Sequence, residues 1–273
     1  MRDFENEILP LEFYNEVLDD LLGSHVLDHK MKILVVCGGR TDKDALLKSG
    51  FDHVVISNLD IRTNESELQP FEWSRQDAES LSFEDSSFDF CIVHSGLHHC
   101  YSPHRALLEM YRVSRKGLLL FEPYDNFLTR MGVRLKFGQE YEHAAVFYND
   151  GSFGGLRNSS IPNYVDRWTE QEIVKTVNSA APYGKHTFRF FHKIRIPWTQ
   201  LKGRTKKRYY YAVLLLRPFL KAFNLVMPKQ SNNFAAVVLK PQYPRDLHPW
   251  LLWEDNTPKL NVSWLAERYS RRA

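Results

Sequence analysis

The first 122 residues alternate between short apolar segments and segments of helical periodicity. Residues 10–22 place Leu11, Tyr14 and Leu18 on one face, which predicts an amphipathic helix. Apolar or β-branched segments predict four strands, and a loop between the second and third leaves room for one more around 72–75. The four strands are predicted at 32–36, 53–57, 88–93 and 117–121. Two further helices are predicted at 42–48 and 103–113.

The apolar strands lack the polar–apolar alternation of a sheet that is exposed on one face. They are therefore expected to be buried on both faces, as in a parallel sheet covered by helices. Right-handed crossovers then give a doubly wound α/β fold. Ligands of such folds bind at the carboxyl ends of the strands, so the residues directly after each strand are the first candidates for function.

The second half of the chain has a weaker pattern. Residues 124–167 carry glycines and polar residues, and we expect an insertion with little regular structure. The capping box at 169–172 indicates a helix that runs to about Ser179. Strands are expected at 187–196 and 233–240, where the second is β-branched and apolar. Together with the first five strands they bring the number of predicted strands to seven.

Residues 204–227 combine basic and aromatic side chains in a segment predicted to be helical, with an interruption at Pro218. At about 150 residues per domain, a chain of 273 residues suggests one large domain with additions. We therefore expect a single domain over 1–240 that includes this segment as a helical insertion. Residues 241–273 are expected to form a C-terminal extension that packs on the domain.

Composition narrows the class of protein. Hydrophobic residues make up 43% and charged residues 25%, which is ordinary for a globular protein and argues against disorder. The net charge of +3 is too small to predict nucleic-acid binding, and no nucleic-acid partner is expected. Three cysteines without a C-x-x-C pair indicate neither a disulfide framework nor a zinc site. Without a signal peptide or an apolar segment of about 20 residues, the protein is expected to be cytoplasmic.

Two polar sites follow predicted strands. The turn at 37–40 joins a buried strand to a helix, and its adjacent glycines let a ligand approach the backbone. It lacks the G-x-G-x-x-G pattern, so a nicotinamide cofactor is disfavoured and a plain tight turn stays an alternative. About 20 residues later, Asn58 or Asp60 is placed to bind ribose hydroxyls, although an exposed loop acid would look the same.

The segment DAESLSFEDSSFDFCIVHSGLHH, residues 77–99, resembles the middle of class I S-adenosylmethionine-dependent methyltransferases of the type 11 group. The resemblance extends over about 30–123, and the strands at 187–196 and 233–240 are similar to the closing strands of that family. It implies a Rossmann-like methyltransferase fold, in which a seven-stranded, mostly parallel sheet has an antiparallel last strand. It also implies S-adenosylmethionine as the cofactor. The family usually has an acid two residues before the first glycine of its turn, whereas this chain has Val35 and then Cys37.

The resemblance implies a role for each matching residue. The turn would face the methionine part of the cofactor, the acid after the third strand would accept from the adenine amino group, and the end of the fourth strand would lie beside the methyl group. The cofactor-binding residues implied, with the two ribose candidates, are Cys37, Gly38, Gly39, Arg40, Asn58, Asp60, Asp77, Ala78, His94 and Ser95.

Methyl transfer from a sulfonium is an in-line displacement, and an oxygen acceptor also needs a base. Histidine suits that task near neutral pH, and His99, with His98 second, follows the fourth strand. Capping of the next helix or structural packing is the alternative role of both. His94 and His98 stand four residues apart without further converging ligands, so no metal is expected.

The acceptor side is predicted in the residues after the fifth strand. An insertion there would lie above the sheet edge, so 124–167 is interpreted as an acceptor lid, with a surface loop as the alternative. Candidate substrate-binding residues are Glu122, Tyr124, Tyr141, Glu142 and His143. The expected acceptor is a hydroxyl, or an amine, of a small molecule or a glycan, with polysaccharide biosynthesis as one setting. A non-catalytic binding protein on the same fold is the alternative, and it predicts a blocked cleft.

Residues 204–221 place basic residues around an aromatic and aliphatic body, which suits contact with a membrane surface. Peripheral membrane contact is therefore one prediction. The alternatives are a helix packed against the sheet with an exposed basic end and, more weakly, a nucleic-acid contact.

Overall fold

The computed structural model describes residues 9–196 and 207–269. Seven strands form one sheet and two more form a hairpin near the C-terminus. The strands are β1 Ile33–Val36, β2 Val54–Asn58, β3 Glu72–Arg75, β4 Phe88–His94, β5 Ser114–Pro123, β6 Thr187–Lys193, β7 Asn233–Leu239, β8 Leu251–Glu254 and β9 Thr257–Leu260. The α-helices are α1 Leu9–Gly23, α2 Arg40–Lys48, α3 Pro103–Val113, α4 Phe127–Arg134, α5 His143–Tyr148, α6 Glu170–Ala180, α7 Arg208–Val226 and α8 Val262–Arg268.

The strand order in the large sheet is β3-β2-β1-β4-β5-β7-β6. The first five strands are parallel, and β7 runs antiparallel to both β5 and β6. The predicted fold class, a doubly wound α/β sheet with an antiparallel last strand, is confirmed. The order reverses at β1, where β2 and β4 flank it, so the carboxyl ends of these three strands form the expected binding edge.

Side chains of each central strand alternate between two apolar layers. In β1, Ile33 and Val35 join a cluster that contains Tyr14 and Leu18 of α1. The intervening residues of β1 join a second cluster, which contains residues of α3 and α6. Because successive side chains point to opposite faces, a strand between two such layers must be apolar throughout. This is why short apolar runs predicted the strands well.

The insertion after β5 has more regular structure than predicted. It contains α4 and α5, so the expectation of little regular structure over 124–167 is wrong in this respect. Asn126 caps α4 through its side chain, which accepts a hydrogen bond from the Thr129 N–H at 2.9 Å. Thr129 Oγ1 accepts in turn from the Asn126 N–H at 2.8 Å, which completes a capping box. This capping box was hard to recognise in a segment that is rich in glycine and polar residues.

The C-terminal residues contact the region that leads into β6. The Lys185 N–H donates to the Asp246 carbonyl oxygen at 2.7 Å, and Leu247 forms an isolated bridge with Gly184. Helix α7 continues through Pro218, where an interruption was predicted, and exposes large apolar side chains such as Leu215 and Phe219. Among the residues that the structure describes, none of the helices is both long and apolar enough to cross a membrane. Residues 204–206 of the predicted basic segment lie outside the described ranges.

Candidate active site

A cavity of about 270 Å³ lies at the carboxyl ends of β1, β2 and β4. Its walls are formed by residues that follow these strands and by residues of the insertion. Its lining is Cys37, Asn58, Leu59, Asp60, Gln76, Asp77, Ala78, Glu79, Ser95, Gly96, His99, Cys100, Ala145, Gly154, Gly155, Arg157 and Asn158. A cavity at this edge differs from the blocked cleft that a non-catalytic protein would show.

The turn after β1 contributes less to this lining than predicted. Cys37 lines the cavity and has a φ of 55°, in the left-handed region that favours glycine. Gly38 packs so closely that a Cβ there would lie 2.5 Å from Val35 Cγ1, which explains the glycine. Gly39 is the N-cap of α2, and Arg40 pairs with Glu67. Gly38, Gly39 and Arg40 are not lining residues, so their contact with the cofactor stays a prediction.

A buried carboxylate that the sequence reasoning missed stands beside this turn. Asp42 Oδ2 accepts a hydrogen bond from the Gly39 N–H at 2.9 Å. Burial raises the pKa of Asp42 to about 6, although hydrogen bonds from Gly39 and Tyr14 offset part of that rise. Asp42 therefore brings negative charge to a turn whose strand carries the apolar Val35. An acid at the third helical position was its signal in the sequence.

Replacing Asp42 with asparagine is expected to stabilise the protein at pH 8 and not at pH 4. The folded-state pKa lies above the unfolded one, so the buried charge costs roughly 2–3 kcal/mol at high pH. As pH falls through about 6, the folded wild type binds a proton that the unfolded chain does not, and this cost disappears. Urea unfolding at several pH values measures the difference. Asp44→Asn, at an exposed acid of the same helix, is the control; an equal gain in both variants contradicts the prediction.

The two ribose candidates after β2 have different surroundings. Asn58 Nδ2 donates to the Gly38 carbonyl oxygen at 2.8 Å, and its Oδ1 accepts from the Asp60 N–H, so Asn58 joins the two loops. Asp60 binds the Arg62 guanidinium at 2.6 and 2.8 Å. Burial raises the pKa of Asp60, but the hydrogen bonds of Arg62 outweigh it and leave the pKa below its usual value. Both residues line the cavity, and Asp60 is the ionised one.

The predicted adenine acid is held by an arginine of the insertion. Asp77 Oδ2 lies 2.8 Å from Arg157 Nη2, and Glu79 Oε2 lies 3.0 Å from Arg157 Nη1. Burial raises the pKa of Asp77, but the hydrogen bond and charge of Arg157 keep it below its usual value. Ala78 lines the cavity next to this pair. Arg157 and Glu79 were not predicted; Glu79 is in the motif that carried the resemblance, whereas no local pattern marks Arg157.

At the end of β4 the structure separates two predicted neighbours of the methyl group. Ser95 lines the cavity, but His94 does not. The His94 ring stacks on Tyr14 of α1, with ring centroids 5.2 Å apart, and burial lowers its pKa to about 3. His94 continues the face of Phe90 and Ile92, which belongs to the α1 side of the sheet. This position does not support the prediction that His94 lies beside the cofactor.

His98 is buried between two carboxylates. Its Nδ1 lies 2.6 Å from Glu122 Oε2, and its Nε2 lies 3.2 Å from Glu142 Oε2. Burial alone would lower the pKa of His98, but Glu122 and Glu142 outweigh it and raise the pKa to about 10. A protonated imidazole cannot accept a proton, so this arrangement does not support His98 as the base. Glu122 also accepts hydrogen bonds from the Gly96 and Leu97 N–H groups at 2.9 and 2.8 Å.

His99 has a different position, at the wall of the cavity. Its Nδ1 lies 3.2 Å from the Gly155 carbonyl oxygen, and its Nε2 lies 3.5 Å from Glu142 Oε2. A carbonyl oxygen only accepts, so Nδ1 carries the hydrogen and Nε2 has the lone pair of the neutral ring. Burial and the neighbouring charge of His98 lower the pKa of His99 below its usual value. His99 is thus neutral near pH 7.

The predicted acceptor residues divide into three groups. Glu142 joins His98 and His99, whereas Glu122 is fully buried behind them and is not a cavity residue. Tyr124 is buried against Phe234 and likewise does not line the cavity, so the structure does not support either residue as a substrate contact. Tyr141 is exposed on the insertion. There it packs edge-to-face on Tyr164, and the nearby His143 is exposed as well.

The insertion covers the cofactor end of the cavity as well as its other end. Ala145, Gly154, Gly155, Arg157 and Asn158 all line the cavity. The Arg62 guanidinium also lies 3.1 Å from the centre of the Phe153 ring, which ties the loop after β2 to the insertion. The insertion therefore lies beside the residues predicted to bind adenine and ribose as well as beside His99, and its role as an acceptor lid stays a prediction.

Comparison with known proteins finds one family match over part of the chain and several similar folds. Residues 47–121 match the family model described as a methyltransferase domain. The fold is similar to an S-adenosylmethionine-dependent methyltransferase from Thermotoga maritima (16% identity, 88% of this chain and 95% of that one, TM-score 0.50). It is also similar to magnesium protoporphyrin IX methyltransferase from Synechocystis, solved with bound S-adenosylhomocysteine (12% identity, 85% and 83% covered, TM-score 0.50).

A third structure, assigned as a methyltransferase of Bacillus halodurans, has a TM-score of 0.51 at 17% identity over 82% of this chain and 99% of that one. At these identities the likeness concerns the fold, and the match to a methyltransferase domain concerns the central part of the chain. The match runs from the end of α2 into β5 and includes the predicted adenine and ribose residues. The family match over residues 47–121 and the shared fold together support an S-adenosylmethionine-dependent methyltransferase.

Proposed function

We propose that this methyltransferase transfers the methyl group of S-adenosylmethionine to a hydroxyl of a small molecule or glycan. The observation that carries the proposal is the cavity, which has acidic and amide side chains at one end and His99 at the other. Asp60 and Asp77 suit the ribose and adenine. Ser95, Gly96 and His99 line the same cavity. An amine acceptor is the second possibility, because a neutral amine can react without a prior proton transfer.

Asp77→Asn is expected to weaken S-adenosylmethionine binding roughly 10-fold or more, because hydrogen bonds to a charged group contribute about 1.5–3 kcal/mol. The substitution keeps the volume but removes the charge that meets Arg157. Isothermal titration of the full chain with S-adenosylmethionine and S-adenosylhomocysteine measures the effect. Glu84→Gln, at an exposed acid later in the same loop, is the matched control. A folded wild type that binds neither compound at millimolar concentration would overturn the proposed function.

The transfer is an in-line displacement. A new bond forms between the acceptor oxygen and the methyl carbon, and the carbon–sulfur bond breaks with its electron pair left on sulfur. This converts S-adenosylmethionine into S-adenosylhomocysteine. We assign the acceptor proton to His99 Nε2, because the Gly155 carbonyl oxygen holds the hydrogen on Nδ1. Glu142, 3.5 Å from the same nitrogen, would stabilise the imidazolium that forms.

Exposed aromatic side chains on the lid support a ring-shaped, polar acceptor such as a sugar. Tyr141 and Tyr164 are each about half exposed, with ring centroids 5.6 Å apart, and Phe147 is more exposed still. Such rings provide flat apolar surface at low entropic cost together with hydroxyl groups that form hydrogen bonds. A glycan acceptor would be consistent with a role in polysaccharide biosynthesis.

We further propose that α7 contacts a membrane surface peripherally. It exposes large apolar side chains next to the exposed cation of Arg217, a combination that fits an anionic lipid interface. The apolar side chains concerned are Tyr211, Leu214, Leu215, Leu216, Phe219, Leu225 and Val226.

The double variant Leu215→Glu, Phe219→Glu is expected to reduce binding to phosphatidylglycerol vesicles at least about 10-fold, since burying one such side chain contributes about 1.5–3 kcal/mol. Co-sedimentation with vesicles measures the bound fraction. Val262→Glu, at an exposed apolar residue of α8, is the control. Equal sedimentation of wild type and double variant would contradict the membrane contact without affecting the proposed methyl transfer.

A further inference from the structure

Three side chains beside the cavity, those of His98, His99 and Glu142, each bring one potential ligand atom close to the other two. His98 Nε2 lies 3.2 Å and His99 Nε2 lies 3.5 Å from the same oxygen, Oε2 of Glu142. The three potential ligand atoms all lie within 4.8 Å of one another. Two imidazole nitrogens and one carboxylate oxygen are a ligand set that proteins use for first-row divalent metals.

The far side of each imidazole is already engaged. His98 Nδ1 is held by Glu122 at 2.6 Å, and His99 Nδ1 is held by the Gly155 carbonyl oxygen at 3.2 Å. Metal-binding histidines are usually oriented in this way, by a carboxylate or a carbonyl that fixes the tautomer. The pairing leaves both Nε2 atoms as the ones that can bind an ion.

The oxygen between them lacks a proper donor. Glu142 Oε2 is buried and accepts no hydrogen bond of good geometry from the described residues. Glu122, on the other side of the His98 ring, is fully buried. Two carboxyl groups and two imidazoles therefore lie together with little access to solvent. With neutral imidazoles the group carries two negative charges, and a divalent cation would balance them. Protonation of His98 alone balances only one.

We propose that His98 Nε2, His99 Nε2 and the Glu142 carboxylate bind one first-row divalent metal ion, of which Zn²⁺ is the representative. The three protein ligands leave coordination positions open, and His99 places them at the cavity wall. The prediction of no metal rested on the spacing of His94 and His98. The structure turns His94 away to Tyr14 and brings Glu142 to His98 from the lid instead.

Metal binding itself does not depend on the proposed function, but its consequence for catalysis rests on it. An acceptor hydroxyl in an open position would be more acidic, so it would bind as the alkoxide after losing its proton to solvent. The alkoxide oxygen then attacks the methyl carbon, with the same bonds formed and broken as above. In the metal-bound protein His99 is thus a ligand, and the ion takes over the activation otherwise assigned to its free nitrogen.

The test uses untagged, full-length protein treated with a chelator and dialysed. Titration with Zn²⁺ by calorimetry and with Co²⁺ by visible absorption is expected to show one site per chain and a Co²⁺ spectrum of nitrogen and oxygen ligation. His99→Ala and Glu142→Gln should each abolish that site. Glu122→Gln changes the partner of His98 Nδ1 and none of the three proposed ligands. It should therefore weaken Zn²⁺ binding roughly 10–100-fold. His53→Ala, an exposed histidine before β2, is the control.

Circular dichroism confirms that each variant is folded before titration. Zn²⁺ affinity that is the same in wild type, His99→Ala and Glu142→Gln, or absent from all three, would overturn the metal site. Titration with S-adenosylmethionine on the same samples separates the two proposals. Cofactor binding without Zn²⁺ binding rejects only the metal, whereas Zn²⁺ binding without cofactor binding rejects only the proposed methyl transfer.

Discussion

Truncation of Glu122 to alanine is expected to lower the free energy of unfolding by roughly 3–5 kcal/mol, which is the usual cost of breaking a buried ion pair. The Glu122 carboxylate is fully buried and binds His98 together with two backbone N–H groups, those of Gly96 and Leu97. Its removal leaves a buried imidazolium and two amides without a partner. Urea unfolding at pH 7.5 measures the loss.

Glu122→Gln separates the two parts of this role. Its carbonyl oxygen can still accept from the two backbone N–H groups, but its amide can only donate to His98 Nδ1. We therefore expect it to recover more than half of the stability lost in Glu122→Ala, with the His98 hydrogen moved to Nε2. NMR of the ring nitrogens reports that tautomer. A Glu122→Ala variant within about 1 kcal/mol of wild type would contradict the prediction.

The second large effect is expected at His99. Replacement with alanine should lower kcat/KM roughly 10²–10⁴-fold, which is the typical contribution of a positioned acid–base group. His99 is partly exposed at the cavity wall, so its truncation should change the free energy of unfolding by much less than that of Glu122. Binding of S-adenosylmethionine should change less than about threefold, because the cofactor residues lie elsewhere in the cavity.

Conversion of S-adenosylmethionine to S-adenosylhomocysteine, measured with a panel of hydroxylated acceptors, is the assay for His99→Ala. His53→Ala serves again as the control, since it removes a surface histidine at the opposite end of the sheet. Full activity of His99→Ala with such an acceptor would remove His99 from the reaction, both as a base and as a metal ligand.

The sheet was predictable because its interior strands carry their own signal. A strand between two helical layers has to be apolar over its interior positions, as in β1 and residues 90–93 of β4, and such runs are visible in one sequence. Helix α3 was predicted to the residue because Ser102 and Pro103 mark its start. Strand β3 has no buried residue, so only its place after a loop indicated it.

The lining of the cavity was predictable where its residues follow strand ends, as at Asn58, Asp77 and Ser95. It was not predictable where the partners come from the lid. Arg157 lies 80 residues from Asp77 in sequence, and no local pattern links the two. Glu142 was chosen for its place in the insertion, but its pairing with His98 depends on how the lid folds back. His94 is the last residue of β4, but its side chain lies on the same face of the sheet as Phe90, towards α1 and away from the cavity.

The lid has a kinetic consequence. Arg157 and Asn158 line the same cavity as Asp60 and Asp77, and Arg157 binds two of its acids. If the cofactor binds at Asp60 and Asp77 as we propose, its exchange for S-adenosylhomocysteine would require these ion pairs to separate, whereas an acceptor at His99 would not disturb them. Such a chain would work by a compulsory order, in which the cofactor is the first to enter and its demethylated form the last to leave. Turnover would then be limited by how often the lid opens.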